Sequence, residues 1–96
     1  MADRTLSVRE FLEGNREETI YVDIREEEHV RFGTIAEAKH IPASRMQELY
    51  QLPKDKKIYV FCQKGEISAE IVEVLLDAGY DAYHLEGGYL AYLATI

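Results

Sequence analysis

Two segments constrain this chain most: Ile20-Tyr21-Val22-Asp23-Ile24 and Ile58-Tyr59-Val60-Phe61-Cys62. Each is short, almost wholly apolar and rich in β-branched and aromatic residues. Neither alternates apolar with polar, so each predicts a strand buried on both faces, as in a parallel sheet covered by helices. Tyr80-Asp81-Ala82-Tyr83-His84-Leu85 predicts a third strand, Ala38-Lys39-His40-Ile41 a short one ahead of Pro42, and Arg4-Thr5-Leu6 another short one.

Helical patterns separate these strands. Ser7-Val8-Arg9-Glu10 has the spacing of a reciprocal capping box, with Val8, Phe11 and Leu12 following on one face and Gly14 offering a left-handed exit. Ser44–Gln51 reads as a short helix stopped by Pro53. Ile67–Ala78 is the strongest helix, with Ile67, Ile71, Val74, Leu75 and Ala78 as its apolar stripe and Gly79 just past its end. Gly87-Gly88 forces a tight turn before a last helix, Tyr89 to about Ala94. Strands alternating with helices predict a small α/β domain. At 96 residues, 47% of them apolar, the expectation is a single domain over residues 1–96.

Charge narrows the partners. The chain has 11 basic and 18 acidic side chains, a formal net charge of −7. Binding to nucleic acid is not expected, because the phosphate backbone demands clustered Lys and Arg; an anionic membrane surface would repel the chain likewise. No apolar run approaches the roughly 18–20 residues of a membrane span. Met1-Ala2-Asp3-Arg4 contains no apolar signal core, and the only cysteine, Cys62, has no partner for an internal disulfide or a CxxC metal site. The expectation is a cytoplasmic protein without metal or cofactor. Oligomeric state is open.

Chemistry concentrates after the second of the two strands. Cys62 is followed by Gln63-Lys64-Gly65-Glu66-Ile67-Ser68 and then the best helix. Ligands of open α/β sheets bind beyond the carboxyl ends of the strands. A tight strand-to-helix turn aims successive amides into one concavity, which favours a thiolate over a thiol there. The residues alone leave two readings open: a nucleophilic cysteine, or a small buried hydrophobe at a strand end.

Cys62-Gln63-Lys64-Gly65-Glu66-Ile67-Ser68 resembles the active-site loop of rhodanese-like sulfurtransferases, Cys-x-x-Gly-x-Arg-Ser/Thr. Tyr21-Val22-Asp23-Ile24-Arg25 with the acidic Glu26-Glu27-Glu28 is similar to the family's strand ending in Asp-x-Arg. Gly33 to Pro42 is similar to its Gly-His-Ile-Pro-Gly-Ala segment, and Leu85-Glu86-Gly87-Gly88 with Tyr92 to its closing Leu-x-Gly-Gly and aromatic. The resemblance implies a five-stranded parallel sheet with helices on both faces. It also implies that Cys62 takes sulfur from a small donor as a persulfide, held by the amides from Gln63 to Ser68, and passes it to a thiol, cyanide or protein acceptor. The rival expectation is a binding or regulatory module that keeps the fold without turnover.

Three departures stand out. Ile67 occupies the position of the loop Arg, so poor use of thiosulfate is expected and a persulfide, polysulfide or protein donor suits the loop better. Thr34 stands for the family's His and Glu37 for its Gly; neither is expected to bear on sulfur transfer. Phosphatases of similar architecture resemble a longer loop ending in Arg, whereas position 68 is Ser68 and no Arg lies nearby. Asp23 and Arg25 are expected to brace the loops at the carboxyl edge. His29, His40 and His84 are expected to be surface or locally hydrogen-bonded, since nothing in the sequence brings one to Cys62 with an orienting third group.

Overall fold

The computed structural model describes residues 3–35 and 37–96. Met1 and Ala2, at the start of the N-terminal stretch, and Ala36, within Gly33–Pro42, lie outside the described residues. Five strands, β1 (Thr5–Leu6), β2 (Thr19–Asp23), β3 (Lys39–His40), β4 (Lys57–Phe61) and β5 (Asp81–Leu85), form one sheet in the order β1-β5-β4-β2-β3. Every pairing is parallel. The helices are α1 (Val8–Leu12), α2 (Glu27–Val30), α3 (Glu66–Asp77) and α4 (Gly88–Leu93), with a 3-10 helix over Ala43–Gln51.

The unbroken apolar runs are explained by two cores, one on each face. Val22, Ile24, Ile58, Val60 and Cys62 pack with Leu49 of the 3-10 helix and with Ile71, Val72 and Leu75 of α3. The intervening residues Tyr21, Tyr59 and Phe61 point the other way and join Phe11 of α1 and Tyr89 of α4. Successive strand side chains face opposite sides, so one sequence run fills an aliphatic core and an aromatic one at once. In the aromatic core Phe11 meets Phe61 edge-on, with ring centroids 5.8 Å apart.

Local details differ from expectation at three places. The capping box at Ser7 forms, each of Ser7 and Glu10 accepting from the other's amide, but Gly14 takes no left-handed turn. The Tyr21 hydroxyl, donating to Phe11 O at 2.6 Å, occupies the space a side chain at Gly14 would need. The Ser44–Gln51 segment is 3-10 rather than α-helical, with a non-helical break at Arg45. Its inward residues Met46 and Leu49 lie three apart, the spacing at which 3-10 side chains align. The stripe of α3 that is buried runs Ser68, Ile71, Val72, Leu75. Ile67 belongs to the surface, 52% exposed.

Candidate active site

β4 delivers Cys62 to the carboxyl edge of the sheet, where the residue is 4% exposed. The chain reverses over Gln63-Lys64-Gly65 and enters α3. Gly65 sits at φ +97°, a conformation L side chains rarely adopt, and a Cβ there would lie 3.1 Å from the amide nitrogen of Gly87. This turn aims two amides at the sulfur: Gly65 N–H at 3.1 Å and Ser68 N–H at 3.3 Å from Cys62 Sγ. Donors so placed stabilise negative charge on sulfur. Of the six loop residues proposed from sequence, Gly65 and Ser68 lie against Sγ. Gln63, Lys64, Glu66 and Ile67, together with Cys62, line a cavity of about 130 Å³. Its exposed lining is mostly apolar, and Ile67 stands in it where the family pattern has a guanidinium.

α4 fastens the loop from outside the sheet. Tyr89 N–H donates to Cys62 O at 2.8 Å, and Leu90 N–H to Gln63 O at 3.1 Å. The Gly87-Gly88 pair therefore does more than turn the chain, for Gly88 packs directly against the Cys62 and Gln63 carbonyls.

Asp23 and Arg25 meet at the carboxyl edge of the sheet. Both are buried, and the Arg25 guanidinium grips the carboxylate through Nε at 3.0 Å and Nη2 at 2.8 Å. Arg25 also donates to Gly33 O at 2.6 Å and to Gln63 Oε1 at 3.2 Å, and lies 3.9 Å from the Tyr89 ring centroid. One side chain thus ties the end of β2 to the Gly33 turn, the cysteine loop and α4. Thr34, where the family pattern has His, donates to Asp23 Oδ2 at 2.7 Å. Glu37, where the pattern has Gly, is the one non-glycine at positive φ among the described residues, at +67°.

Arg25→Lys keeps the charge but loses the planar fork and the ring contact. The expected loss is about 2 kcal/mol of stability, the worth of a hydrogen bond or two to a charged group. In a domain this size that lowers the melting midpoint by about 10 °C, read by thermal denaturation.

The histidines divide. His29 is exposed, and His40 Nε2 lies 2.8 Å from Arg25 O, a local bond of the expected kind. His84 differs, since its Nδ1 comes within 3.4 Å of Ser68 Oγ beside the cysteine. Its place in β5, next to β4, brings it there, and only the strand order could have revealed it. Among the described residues no group of three His, Cys, Asp or Glu side chains could hold a metal ion, and no helix is long and apolar enough to cross a membrane.

The Rhodanese-like domain family model matches residues 7–95. The chain belongs to the rhodanese-like domain family. This rhodanese-like domain is 33% identical over 89 residues to the "Putative sulfurtransferase YtwF" of Bacillus subtilis, covering 92% of this chain and 85% of that protein. It is also 33% identical over 89 residues to a tRNA uridine(34) hydroxylase of Bartonella henselae, covering 83% of this chain but 29% of that longer protein. Among solved structures, a rhodanese-related protein from Thermoplasma volcanium superposes with a TM-score of 0.87 at 32% identity, covering 96% of this chain and 92% of the other. The five-stranded parallel sheet accords with this family, and the relatives of the chain include a "Putative sulfurtransferase" and a hydroxylase.

Proposed function

We propose that this rhodanese-like domain is a sulfurtransferase that carries sulfane sulfur as a persulfide on Cys62. The observation that carries the reading is the pair of amides, Gly65 and Ser68, aimed at a buried sulfur beside an open cavity. The Cys62 thiolate attacks the outer sulfur of a donor R–S–SH. A new S–S bond forms at Cys62 as the donor's S–S bond breaks, and R–S⁻ leaves with that bond's electron pair. An acceptor thiol, cyanide or protein nucleophile then attacks the outer sulfur of the persulfide and releases the Cys62 thiolate. Gln63, Lys64, Glu66 and Ile67 form the rim over which the donor enters, and Asp23 and Arg25 hold that rim in place. A free thiol of this kind suits the reducing cytoplasm.

Donor choice follows from the rim. Thiosulfate is a dianion, and the cavity's exposed lining is mostly apolar, with Lys64 offset by Glu66. A low-molecular-weight persulfide or a protein persulfide fits better. The test is intact mass after exposure to thiosulfate and, separately, to a low-molecular-weight persulfide. One added sulfur from the persulfide, removed by cyanide, is the expected result; no gain from either donor overturns the proposal. Ile67→Arg should raise the rate of loading from thiosulfate roughly tenfold or more, the effect of one charge-assisted hydrogen bond to the anion.

A binding or regulatory module is the second reading, favoured by the same Ile67, which leaves the rim without its arginine. Under it, neither donor loads Cys62, and Ile67→Arg gains nothing.

A further inference from the structure

On the buried side of Cys62 a hydrogen-bonded line of side chains runs from the end of β4 through three further elements of the fold. The Cys62 thiol donates to Ser68 Oγ at 3.4 Å, and Ser68 Oγ lies 3.4 Å from His84 Nδ1. His84 Nε2 lies 2.9 Å from Thr5 Oγ1. Cys62 follows β4, Ser68 is in α3, His84 in β5 and Thr5 in β1. Ser68 is fully buried, so its single hydroxyl proton has few places to go: the sulfur, Gly65 O at 3.3 Å, or the imidazole.

The geometry points to His84 as a positioning residue for Cys62, taking up the thiol proton through the Ser68 hydroxyl and turning that hydroxyl toward the thiolate. In the resting pair the neutral imidazole carries its proton on Nε2 and donates it to Thr5 Oγ1, so that Nδ1 accepts. The S–H bond breaks as an O–H bond forms on Ser68, and the proton Ser68 held passes to Nδ1. The products are the Cys62 thiolate and the His84 imidazolium, with Ser68 again carrying one proton, now aimed at sulfur. Nothing is oxidised or reduced, and no further reactant is needed. The long distances match a catalytic set that tightens when substrate arrives.

The surroundings of His84 set its resting form and oppose its product: the burial that keeps the imidazole neutral also disfavours the imidazolium, which the carboxylates of Asp3 and Glu86 favour. Burial pushes its pKa below the ordinary 6.5, while the carboxylates of Asp3 and Glu86 pull it back up. The accepting, neutral form is therefore the one present at neutral pH, and it is lost as pH falls. From β4 its register partner is the uncharged Val60, and from α3 it meets the neutral Ser68. Arg4 of the β1 flank is engaged with Asp81. On the other side of the sulfur, Lys64 and Glu66 stand at the rim.

The inference rests on Cys62 being the reacting sulfur, and its test runs without any sulfur donor. The rate of Cys62 alkylation by iodoacetamide is measured against pH for the full chain, for His84→Asn, for Ser68→Ala and for the double variant. Asparagine preserves a hydrogen bond to Ser68 but takes up no proton. His84→Asn is expected to react about tenfold more slowly at neutral pH, a modest effect for proton transfer, and to lose the lower inflection of the parent profile. Ser68→Ala should show the same loss, and the double variant no more than either single. A His84→Asn profile that superimposes on the parent, or single losses that multiply in the double, overturns the inference. Should Ser68→Ala not fold, His84→Asn with imidazole nitrogen resonances of the parent protein decides. Between the pair's two apparent pKa values the thiolate's ultraviolet absorbance and a protonated Nδ1 must be present together, and a thiolate that appears only where Nδ1 is neutral is the overturning result. Loss of sulfur loading alone, with the alkylation pattern intact, would count against the carrier function and leave the role of His84 standing.

Discussion

Cys62→Ser is expected to abolish sulfur loading while the fold stays in place. Serine is nearly the shape of cysteine, and the Gly65 and Ser68 amides that approach Sγ at 3.1 and 3.3 Å can donate to a hydroxyl instead. Stability should therefore shift by no more than about 1 kcal/mol, read by urea denaturation. Chemistry is another matter. A hydroxyl is a far weaker nucleophile than a thiolate near neutral pH, and no S–S bond can form on oxygen. Loading from a persulfide should fall at least about 1000-fold, the equivalent of roughly 4 kcal/mol in barrier. A folded Cys62→Ser protein that still gains a cyanide-labile sulfur would show that the carrier lies elsewhere.

The difference between what was legible in the sequence and what was not follows the range of the interactions. Ile20–Ile24 and Ile58–Cys62 announce a sheet buried on both sides because their composition is local, and the strands form one residue earlier, at Thr19–Asp23 and Lys57–Phe61. The Ser7 capping box is likewise a contact over three residues. Ile67 shows the limit: as part of an apolar pattern it looks like core, yet rotation of α3 to bring Ser68 under Cys62 leaves it at the surface. The residues around the cysteine that sequence reasoning passed over reach it across long separations. Tyr89 of α4 donates to Cys62 O, while His84 of β5 comes as far as Ser68 Oγ and Thr5 of β1 as far as His84. Their positions depend on the order β1-β5-β4-β2-β3, which no local spacing encodes. Asp23 and Arg25 stand out in the sequence as paired charges at a strand end, whereas the contacts of Arg25 to Gly33, Gln63 and Tyr89 depend on the fold.

The Gly87-Gly88 pair turns the chain, and Gly88 has a second duty that leads to the other large expected effect. A Cβ on Gly88 would lie 2.5 Å from Cys62 O, 2.6 Å from Gln63 O and 2.7 Å from Gln63 C. These are backbone atoms of the active-site loop, unable to swing aside as a side chain would. Residue 88 is also held at φ +65°, where an L side chain adds about 1–2 kcal/mol of strain. Gly88→Ala should therefore cost about 4 kcal/mol, a large part of the 5–15 kcal/mol that holds a domain folded. Gly79→Ala is the control. It carries the positive-φ penalty at +94° but meets only the flexible Lys54 side chain, at 3.7 Å. The gap between the two variants in urea denaturation isolates the collision with the loop. Relief of that collision requires α4 to move outward, which breaks the Tyr89 bond to Cys62 O and the Leu90 bond to Gln63 O. Under conditions where Gly88→Ala stays folded, sulfur loading should fall along with stability, whereas Gly79→Ala loads normally. Equal stability of the two variants would mean that α4 does not clamp the cysteine loop, and that the loop keeps its shape through Gly65 and Arg25 alone.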